Sequence, residues 1–394
     1  MSQRYTFETQ LLHNKHKVDP ATGGVSVPIQ HASTFHQVSA DEFGKYDYSR
    51  SLNPTREALE EIIAELEGGV RGFAFSSGMA AISTAFLLLS QGDHVVVTED
   101  VYGGTYRMVT QVLNRFGIEH TFVDMTDLEA VEEAIRPNTA LLYAETPSNP
   151  LLKVTDIRAI SEIAKKHSAL TFVDNTFMTP YLQRPLDLGA DIVLHSATKF
   201  LSGHSDTVAG LAVVKDEELA KRLYSLQNSF GAVLGVQDAW LVMRGIKTLS
   251  VRMNQSQESA RKIAGFLLKQ PLIKNVYYPG LLNHPQSGIQ KQQAYGTGAV
   301  LSFELENAEV LSRFIEQVKL PVFAVSLGAV ESILSYPAKM SHAAMPQHER
   351  ERRGISEGLL RLSVGLESAE DLIADIEQAL NTIGIFAVKK EEVR

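Results

Sequence analysis

The alternation of short apolar runs with helical segments between Arg71 and Val214 limits the possible folds more than any other feature of the chain. The runs Leu170–Asp174 and 190–194 are apolar and lie next to polar residues, which is typical of buried strands. Helical patterns separate such runs from one another. Strands that alternate with helices predict a mostly parallel sheet with right-handed crossovers. We therefore expect an α/β protein.

The length of the chain predicts more than one domain, because 394 residues exceed a single typical core. Residues 1–59 show little periodicity and are expected to form an irregular arm. Residues 60–255 are expected to form a large α/β domain, with its boundary inside a helical stretch over 237–269. Separate strands with flanking helices then predict a smaller α+β domain over 256–394.

Composition excludes several classes of function. The formal charge of −9, without a cluster of Lys and Arg, argues against a nucleic-acid partner. The chain has no cysteine, which rules out disulfides, thiolate metal sites and a Cys nucleophile. No stretch reaches the roughly 18 apolar residues of a membrane span, and the N-terminus lacks a signal-peptide core, so we expect a cytoplasmic protein. His204 has no second His or acid at ligand spacing, and no metal site is expected.

The segment 195–206 contains one lysine, Lys199, among small hydroxyl residues directly after a predicted buried strand. The end of a strand is where α/β enzymes keep their chemistry. A lysine desolvated there can lose its charge and act as a nucleophile or base, and the hydroxyls of Ser196 and Thr198 suit a phosphate oxygen. Together these residues predict a pyridoxal phosphate (PLP) site with the aldehyde on Lys199 as a Schiff base. A surface loop lysine is the alternative interpretation.

Two further segments have features that suit the same cofactor. Ser77, Gly78 and Met79 stand between a predicted strand and a helix, an arrangement that directs free backbone N–H groups and the helix dipole at a phosphate. Asp174 ends an apolar strand, where a buried carboxylate needs a cationic partner. A protonated pyridine nitrogen would be such a partner and would strengthen the electron sink of the ring. A helix-capping role for Asp174 is the alternative.

Other residues are candidates for binding anions or a flat ring. Arg361 lies inside an otherwise apolar strand and is expected to bind a carboxylate, unless it forms a structural salt bridge. Tyr102, just past a strand, could stack on the cofactor or belong to the core. Tyr48 and Arg50 lie on one side of an extended segment and could reach one anion, or could belong to an ordinary loop. The sequence Asn53-Pro54-Thr55 then predicts the start of a helix, with Thr55 as the N-cap.

Taken together, these motifs closely resemble the Cys/Met-metabolism PLP enzymes, the cystathionine lyase and synthase family, over essentially the whole chain. The resemblance implies the PLP-dependent transferase fold type I, which is aspartate aminotransferase-like, and a small amino acid substrate. It also implies a homo-oligomer, expected to be a homotetramer built from dimers that share active sites. Tyr48 and Arg50 match a pair that reaches the PLP phosphate of a neighbouring subunit.

The resemblance also implies a role for each remaining candidate. Gly78 and Met79 would give backbone donors to the phosphate, with the hydroxyl of Ser77 nearby. Tyr102 would stack on the pyridine ring and could polarise the leaving group, which makes it, with Lys199, a catalytic candidate. The substrate-binding candidates are Asn149, which would hold the substrate carboxylate and the ring oxygen, Arg361, which would bind the α-carboxylate, and Ser326, which would lie near Lys199.

Three positions bear on the choice of reaction within this family. The γ-lyases and γ-synthases commonly carry an acidic residue just before the loop serine, where this chain has Val325. Methionine γ-lyases usually have a Cys where this chain has Gly104. The segment 340–346 looks most like the β-lyases, which cleave cystathionine to homocysteine, pyruvate and ammonia in methionine biosynthesis. The alternatives are γ-elimination or γ-replacement, a methionine γ-lyase-like reaction, and a protein of this fold that binds a partner without catalysis.

Overall fold

The computed structural model describes residues 5–391, with side chains described up to residue 384. Within these residues the chain forms two β-sheets, of seven and five strands, which are flanked by helices. The seven-stranded sheet is formed by residues 71–214, and the five-stranded sheet by residues 275–363. The predicted domain boundaries stay a prediction.

The first sheet is mostly parallel, as the alternation of strands and helices predicts. Its strands are β1 (Arg71–Phe75), β2 (His94–Thr98), β3 (Glu119–Val123), β4 (Thr139–Glu145), β5 (Leu170–Asp174), β6 (Ile192–Ser196) and β7 (Gly210–Val214). They lie in the order β1-β7-β6-β5-β4-β2-β3. Only β7 runs against its neighbours, β1 and β6, and the other pairs are parallel. The prediction of a mostly parallel α/β sheet is confirmed.

Both faces of the inner strands of this sheet are buried, which explains why these strands are mostly apolar, whereas the edge strand β3 is more polar and partly exposed. Ile192 and Leu194 of β6 point into one hydrophobic core, and Val193 between them points into the other. A strand covered on both faces has no solvent side that would require polar residues. Polar side chains therefore gather where the parallel strands end, and several of these, including Asp174 and Ser196, lie at one edge of the sheet.

The second sheet is mostly antiparallel and has its own core. Its strands are β8 (Asn275–Tyr277), β9 (Val300–Glu304), β10 (Val322–Phe323), β11 (Ile333–Ser335) and β12 (Leu359–Ser363), in the order β10-β11-β12-β9-β8. Only the pair β10 and β11 is parallel. In the core, the rings of Phe303 and Phe314 meet edge to face with their centroids 5.7 Å apart. This sheet places Arg361, on β12, beside the first sheet's polar edge.

The helices cover the faces of both sheets. They are α1 (Phe7–Leu12), α2 (Pro54–Glu67), α3 (Gly78–Phe86), α4 (Gly103–Arg107), α5 (Leu128–Ala134), α6 (Ile157–Lys166), α7 (Thr179–Leu182), α8 (Glu217–Phe230), α9 (Val236–Ile246), α10 (Leu249–Leu267), α11 (Ser287–Gln293), α12 (Ala308–Gln317), α13 (Gln347–Arg352) and α14 (Ala369–Glu391). A π-helical turn, Met108–Val112, and three 3₁₀ turns, Leu113–Phe116, Pro185–Leu188 and Pro337–Lys339, complete the set.

Two details of the helices differ from the sequence-based expectation. The helical stretch over 237–269 is two helices, α9 and α10, with a break at Lys247 and Thr248. The N-cap of α2 is Asn53 and not Thr55, because the side chain of Asn53 accepts the N–H of Thr55 at 2.9 Å. The hydroxyl of Thr55 instead donates to the carbonyl of Pro28 at 2.8 Å, which ties the N-terminal arm to this helix. In residues 5–391 no helix is both long and apolar enough to cross a membrane.

Candidate active site

A pocket of about 470 Å³ opens at the carboxyl ends of the parallel strands, where the second sheet adjoins the first. Its walls come from both parts of the chain, and it contains most of the residues that the sequence singled out. The predicted residues that line it are Ser77, Gly78, Met79, Tyr102, Asn149, Asp174, Ser196, Thr198, Lys199, Ser326 and Arg361.

Lys199 follows strand β6, and its side chain extends into the pocket. Its Nζ donates a hydrogen bond to the Oγ of Ser326 at 2.5 Å. Burial, and to a lesser extent the positive charge of Arg361, lowers the pKa of Lys199 to about 8. A lysine with this pKa has a substantial neutral fraction near neutral pH, so it can serve as a nucleophile or base.

Ser326 is held in a backbone conformation that few residues adopt. Its φ is 89°, in the left-handed region, although it is not a glycine. Such a residue persists only where its surroundings hold it in place, and these positions concentrate at functional sites. Here the guanidinium of Arg361 donates to the Ser326 carbonyl at 2.7 Å, while the Ser326 hydroxyl accepts from Lys199.

Asp174 is a buried carboxylate with no cation within ion-pair distance among the described residues. Its Oδ1 accepts the backbone N–H of Thr176 at 3.0 Å, and the Tyr143 hydroxyl lies 3.5 Å from its Oδ2. Burial raises the pKa of Asp174, as expected for a carboxylate without a nearby cation among the described residues. A protonated ring nitrogen fits this position, because it would supply the missing positive charge.

The turn between β1 and α3 fits a phosphate group. The Oγ of Ser77 caps α3 by accepting the N–H of Ala80 at 3.0 Å, and the first N–H groups of a helix have no intrahelical acceptor. A Cβ on Gly78 would lie 2.9 Å from the Cβ of Ser196, so only glycine lets the two segments approach this closely. The Thr198 hydroxyl accepts the N–H of Ala209 at 2.9 Å and donates to the Ala209 carbonyl at 3.2 Å. Hydroxyls and free N–H groups therefore surround one end of the pocket, as an anion requires.

Tyr102 lies at the mouth of the pocket and is held through its backbone. Its N–H donates to the Oε2 of Glu145 at 2.9 Å. A Cβ on Gly104 would collide with the Tyr102 ring and would lie 2.7 Å from the Sδ of Met79. Because Gly104 has no side chain, the ring of Tyr102 can occupy this space.

Arg361 is buried and makes no ion pair among the described residues. It donates to the Oδ1 of Asn149 at 2.8 Å and to the Oγ of Ser335 at 3.1 Å, in addition to the Ser326 carbonyl. Its Nε is buried without a hydrogen-bond partner. Burial lowers the pKa of Arg361 to about 10, so it stays charged at neutral pH. The described residues therefore offer no salt bridge for the alternative interpretation, which leaves a positive charge for a carboxylate ligand.

Tyr48 and Arg50 are not brought into the pocket of their own chain. Arg50 donates to the backbone carbonyl and the side-chain oxygen of Asn228 at 2.5 and 2.9 Å. The Arg50 guanidinium lies over the Tyr48 ring at 5.6 Å, and that ring is exposed. Their expected role in a neighbouring subunit stays a prediction.

Several residues that line the pocket were not predicted from the sequence. Glu145, Arg107, Thr176 and Ser341 are among them. Glu145 ends strand β4, and this position in a buried strand could have identified it in the same way as Asp174. Arg107 ends α4 five residues after Tyr102, and only the folded chain brings it to the pocket. It is exposed, and its side chain has no hydrogen bond or ion pair in the described part of the chain.

A buried histidine links the second part of the chain to the Tyr102 segment. The Nε2 of His342 lies 3.2 Å from the carbonyl of Val101, and its Nδ1 lies 2.9 Å from the Oγ of Ser341. A carbonyl only accepts, so Nε2 carries the proton and Nδ1 accepts from the serine hydroxyl. Burial lowers the pKa of His342 to about 4, which keeps the ring neutral at physiological pH. Among the side chains that the structure describes, in residues 5–384, no group of three or more His, Asp or Glu is arranged to hold a metal ion.

Comparison with known proteins gives extensive matches. The family described as Cys/Met metabolism PLP-dependent enzyme matches residues 8–381. A cystathionine beta-lyase of Bacillus subtilis is 69% identical over 385 residues, which cover 98% of this chain and 99% of the relative. A cystathionine gamma-lyase of the same organism is 55% identical and covers 95% of this chain and 99% of its own length.

A solved structure also matches the three-dimensional fold of this chain closely. The crystal structure of cystathionine gamma-lyase from Lactobacillus plantarum, complexed with L-serine, superimposes with a TM-score of 0.94 at 48% identity. The match covers 96% of this chain and 100% of that chain. The expected fold type I architecture is thereby confirmed.

Proposed function

Because the chain belongs to the Cys/Met-metabolism PLP-dependent enzymes, we propose that it is a cystathionine β-lyase acting in methionine biosynthesis. The reaction consumes L-cystathionine and water and releases homocysteine, pyruvate and ammonia. The observation that carries the proposal is the pocket in which the Lys199 amine, the unpaired Arg361 guanidinium and the uncompensated Asp174 carboxylate meet. The beta-lyase name of the relative at 69% identity supports this choice of reaction.

PLP is the cofactor of this family, and the side chains of the pocket fit it. In our proposal Asp174 holds the ring nitrogen, and Tyr102 stacks on the ring. Ser77, Gly78, Met79, Ser196 and Thr198 hold the phosphate. When bound, PLP supplies the electron sink that accepts the electrons of a broken bond at the substrate Cα.

The remaining residues bind the substrate and move its protons. Arg361 and Asn149 hold the α-carboxylate, which fixes the Cα–H bond relative to Lys199. The neutral Lys199 amine takes the Cα proton, the electron pair of the Cβ–S bond leaves with sulfur, and the protonated Lys199 returns the proton to that sulfur, so that homocysteine is released. Ser326 accepts a hydrogen bond from Lys199 and keeps the amine at this place between the two steps. The three-carbon remainder leaves as pyruvate and ammonia after hydrolysis.

Cystathionine has a second carboxylate, and Arg107 is placed to bind it. This arginine lines the same pocket as Arg361 and is exposed, with no ion pair in the described residues. A second arginine suits a substrate with a carboxylate at each end, because Arg–carboxylate hydrogen bonds are strong. The proposal therefore assigns the distal carboxylate to Arg107.

The choice between β- and γ-elimination rests on the surroundings of the substrate side chain. Val325 lines the pocket at the position where γ-lyases and γ-synthases commonly carry an acid, which supports β-elimination. The second candidate, γ-elimination, draws support from the relative named a cystathionine gamma-lyase at 55% identity. The test is a product assay with L-cystathionine. Pyruvate and homocysteine in excess support the β-lyase, and 2-oxobutyrate and cysteine in excess would replace it with the γ-lyase.

The proposal includes a homotetramer assembled from dimers that share active sites. Tyr48 and Arg50 lie away from the pocket of their own chain, which is compatible with a role in the site of another subunit. A location in the cytoplasm, where small amino acids are metabolised, is part of the same proposal, and cell fractionation would test it. Sedimentation of the purified protein would test the tetramer.

A further inference from the structure

A second carboxyl group, Glu145, lies beside Asp174 at the floor of the pocket. The two residues are register partners at the ends of β4 and β5, which are parallel neighbours. Register partners on parallel strands point to the same face of the sheet and are separated by about 5 Å. Both side chains are buried, so two negative charges here would repel each other with little screening by solvent.

The hydrogen bonds around the two carboxyl groups are unequal. Asp174 accepts the backbone N–H of Thr176 and has the Tyr143 hydroxyl nearby. Glu145 accepts one hydrogen bond, from the Tyr102 N–H to its Oε2. The other oxygen of Glu145 has no protein partner among the described residues, although the side chain is only 5% exposed and lines the pocket. Asp174 is thus the better-supported site for a negative charge.

Arg361 carries the positive charge that acts on Glu145, but it does not form an ion pair with Glu145. The charged or titratable groups that act on Glu145 are Asp174 on β5, Asp100 in the loop after β2, Tyr143 on its own strand and Arg361 on β12. Arg361 makes no ion pair with Glu145 and directs its donors to Asn149, Ser326 and Ser335. A negative Glu145 would compete with the substrate carboxylate for Arg361, whereas an uncharged Glu145 leaves that charge to the substrate.

We propose that Glu145 is the uncharged member of a carboxyl pair with Asp174, and that it is a positioning residue that holds the backbone of Tyr102. Asp174 alone then carries the negative charge that pairs with the cofactor ring. Burial, followed by the negative charge of Asp174, raises the pKa of Glu145 well above its usual range, in agreement with this division. The inference rests on the proposed roles of Asp174, Tyr102 and Arg361, but not on which bond of the substrate is cleaved.

The test compares Glu145→Gln and Glu145→Ala with matched changes at Glu162, an exposed residue of α6. Glutamine keeps the acceptor for the Tyr102 N–H and cannot ionise, so it mimics a protonated glutamate. We expect Glu145→Ala to lower kcat/KM about 100-fold, because a small displacement of a stacking or positioning group costs about that much. We expect Glu145→Gln to retain most of the kcat/KM of the wild type. A Gln variant as impaired as the Ala variant would overturn the proposal.

A second measurement does not depend on activity. Infrared spectra of the holoenzymes are compared at neutral pH. The carbonyl stretch of a protonated carboxyl group should be present in the wild type and in Glu162→Gln. The same band should be lost in Glu145→Gln. Absence of this band from the wild type would show that Glu145 is ionised and would overturn the proposal, even if Glu145→Ala does not fold. A holoenzyme that shows the band but does not cleave cystathionine would contradict the proposed reaction and leave this inference standing.

Discussion

Gly104 and Tyr102 are in such close contact that the tyrosine ring occupies the space a side chain at residue 104 would need. We expect Gly104→Ala to displace the ring and lower kcat/KM by about 10- to 100-fold, since misplacement by about 1 Å has effects of this size. Gly265→Ala is the matched control, because a Cβ there meets nothing within 4 Å. The control lies in α10 and should be neutral or stabilising by about 0.5–1 kcal/mol. Equal activity of the two variants would contradict the role of Gly104.

The pKa of Lys199 predicts a pH dependence for loading of the enzyme with PLP. Burial lowers this pKa to about 8, and only the neutral amine can attack an aldehyde. The neutral fraction grows as the pH rises through about 8 and is nearly complete above it. Stopped-flow absorbance of apoenzyme mixed with PLP should therefore give a rate that rises to a plateau above this pH.

The control for that experiment is Lys199→Ala, which should give neither the lasting visible colour of the bound cofactor nor lyase activity. A rate that continues to rise towards the usual pKa of lysine, about 10.4, would show that the amine is not desolvated. A wild-type protein that stays colourless with added PLP would favour the alternative of a binding protein without catalysis.

The hydroxyl and the backbone of Ser326 can be tested separately. Ser326→Ala and Ser326→Gly both remove the hydrogen bond to Lys199, and we expect each to lower kcat by about fivefold, the net value of one such bond. Glycine alone also relieves the left-handed backbone, where φ is 89°. In chemical denaturation the glycine variant should therefore be about 1 kcal/mol more stable than the alanine variant. Equal stabilities would show that the backbone is unstrained.

Arg107 should distinguish substrates by the number of their carboxylates. We expect Arg107→Ala to lower kcat/KM for L-cystathionine about 10- to 100-fold, as for loss of a hydrogen bond to a charged group. S-methyl-L-cysteine has one carboxylate and should be affected much less. Steady-state kinetics with both substrates provide the comparison. A similar loss of kcat/KM for the two substrates would show that Arg107 contacts the cofactor or stabilises the fold, and does not bind the distal carboxylate.

Shared active sites can be tested by mixing two inactive variants. Arg50→Ala removes the group proposed to reach the partner's site, and Lys199→Ala removes the amine proposed as the catalytic base. A hybrid dimer would contain one site with an intact Lys199 and the partner's intact Arg50, so mixing and reassembly should recover activity. If Arg50 served its own chain, that site would lack it and no activity would return.

Much of the fold and the site could be predicted from local patterns. The apolar strands β5 and β6 are recognisable because both of their faces are buried, and Asp174 and Lys199 are conspicuous at their ends. Glu145 has the same placement on β4 but was missed, because a single acid after an apolar run has several common uses. Arg107 and the link from His342 to Val101 could not be predicted, since they depend on contacts between distant segments. The true N-cap, Asn53, was missed because Thr55 has the same capping chemistry two residues later.

The two sides of the pocket come from different stretches of the chain. Lys199, Asp174 and the turn between β1 and α3 come with the first sheet, whereas Val325, Ser326 and Arg361 come with the second. Exchange of the stretch 325–345 with that of a relative would therefore alter the surroundings of the substrate side chain and leave the proposed cofactor contacts in place. Divergence of reaction type within one scaffold, in evolution or in the laboratory, could proceed through this stretch without loss of the cofactor.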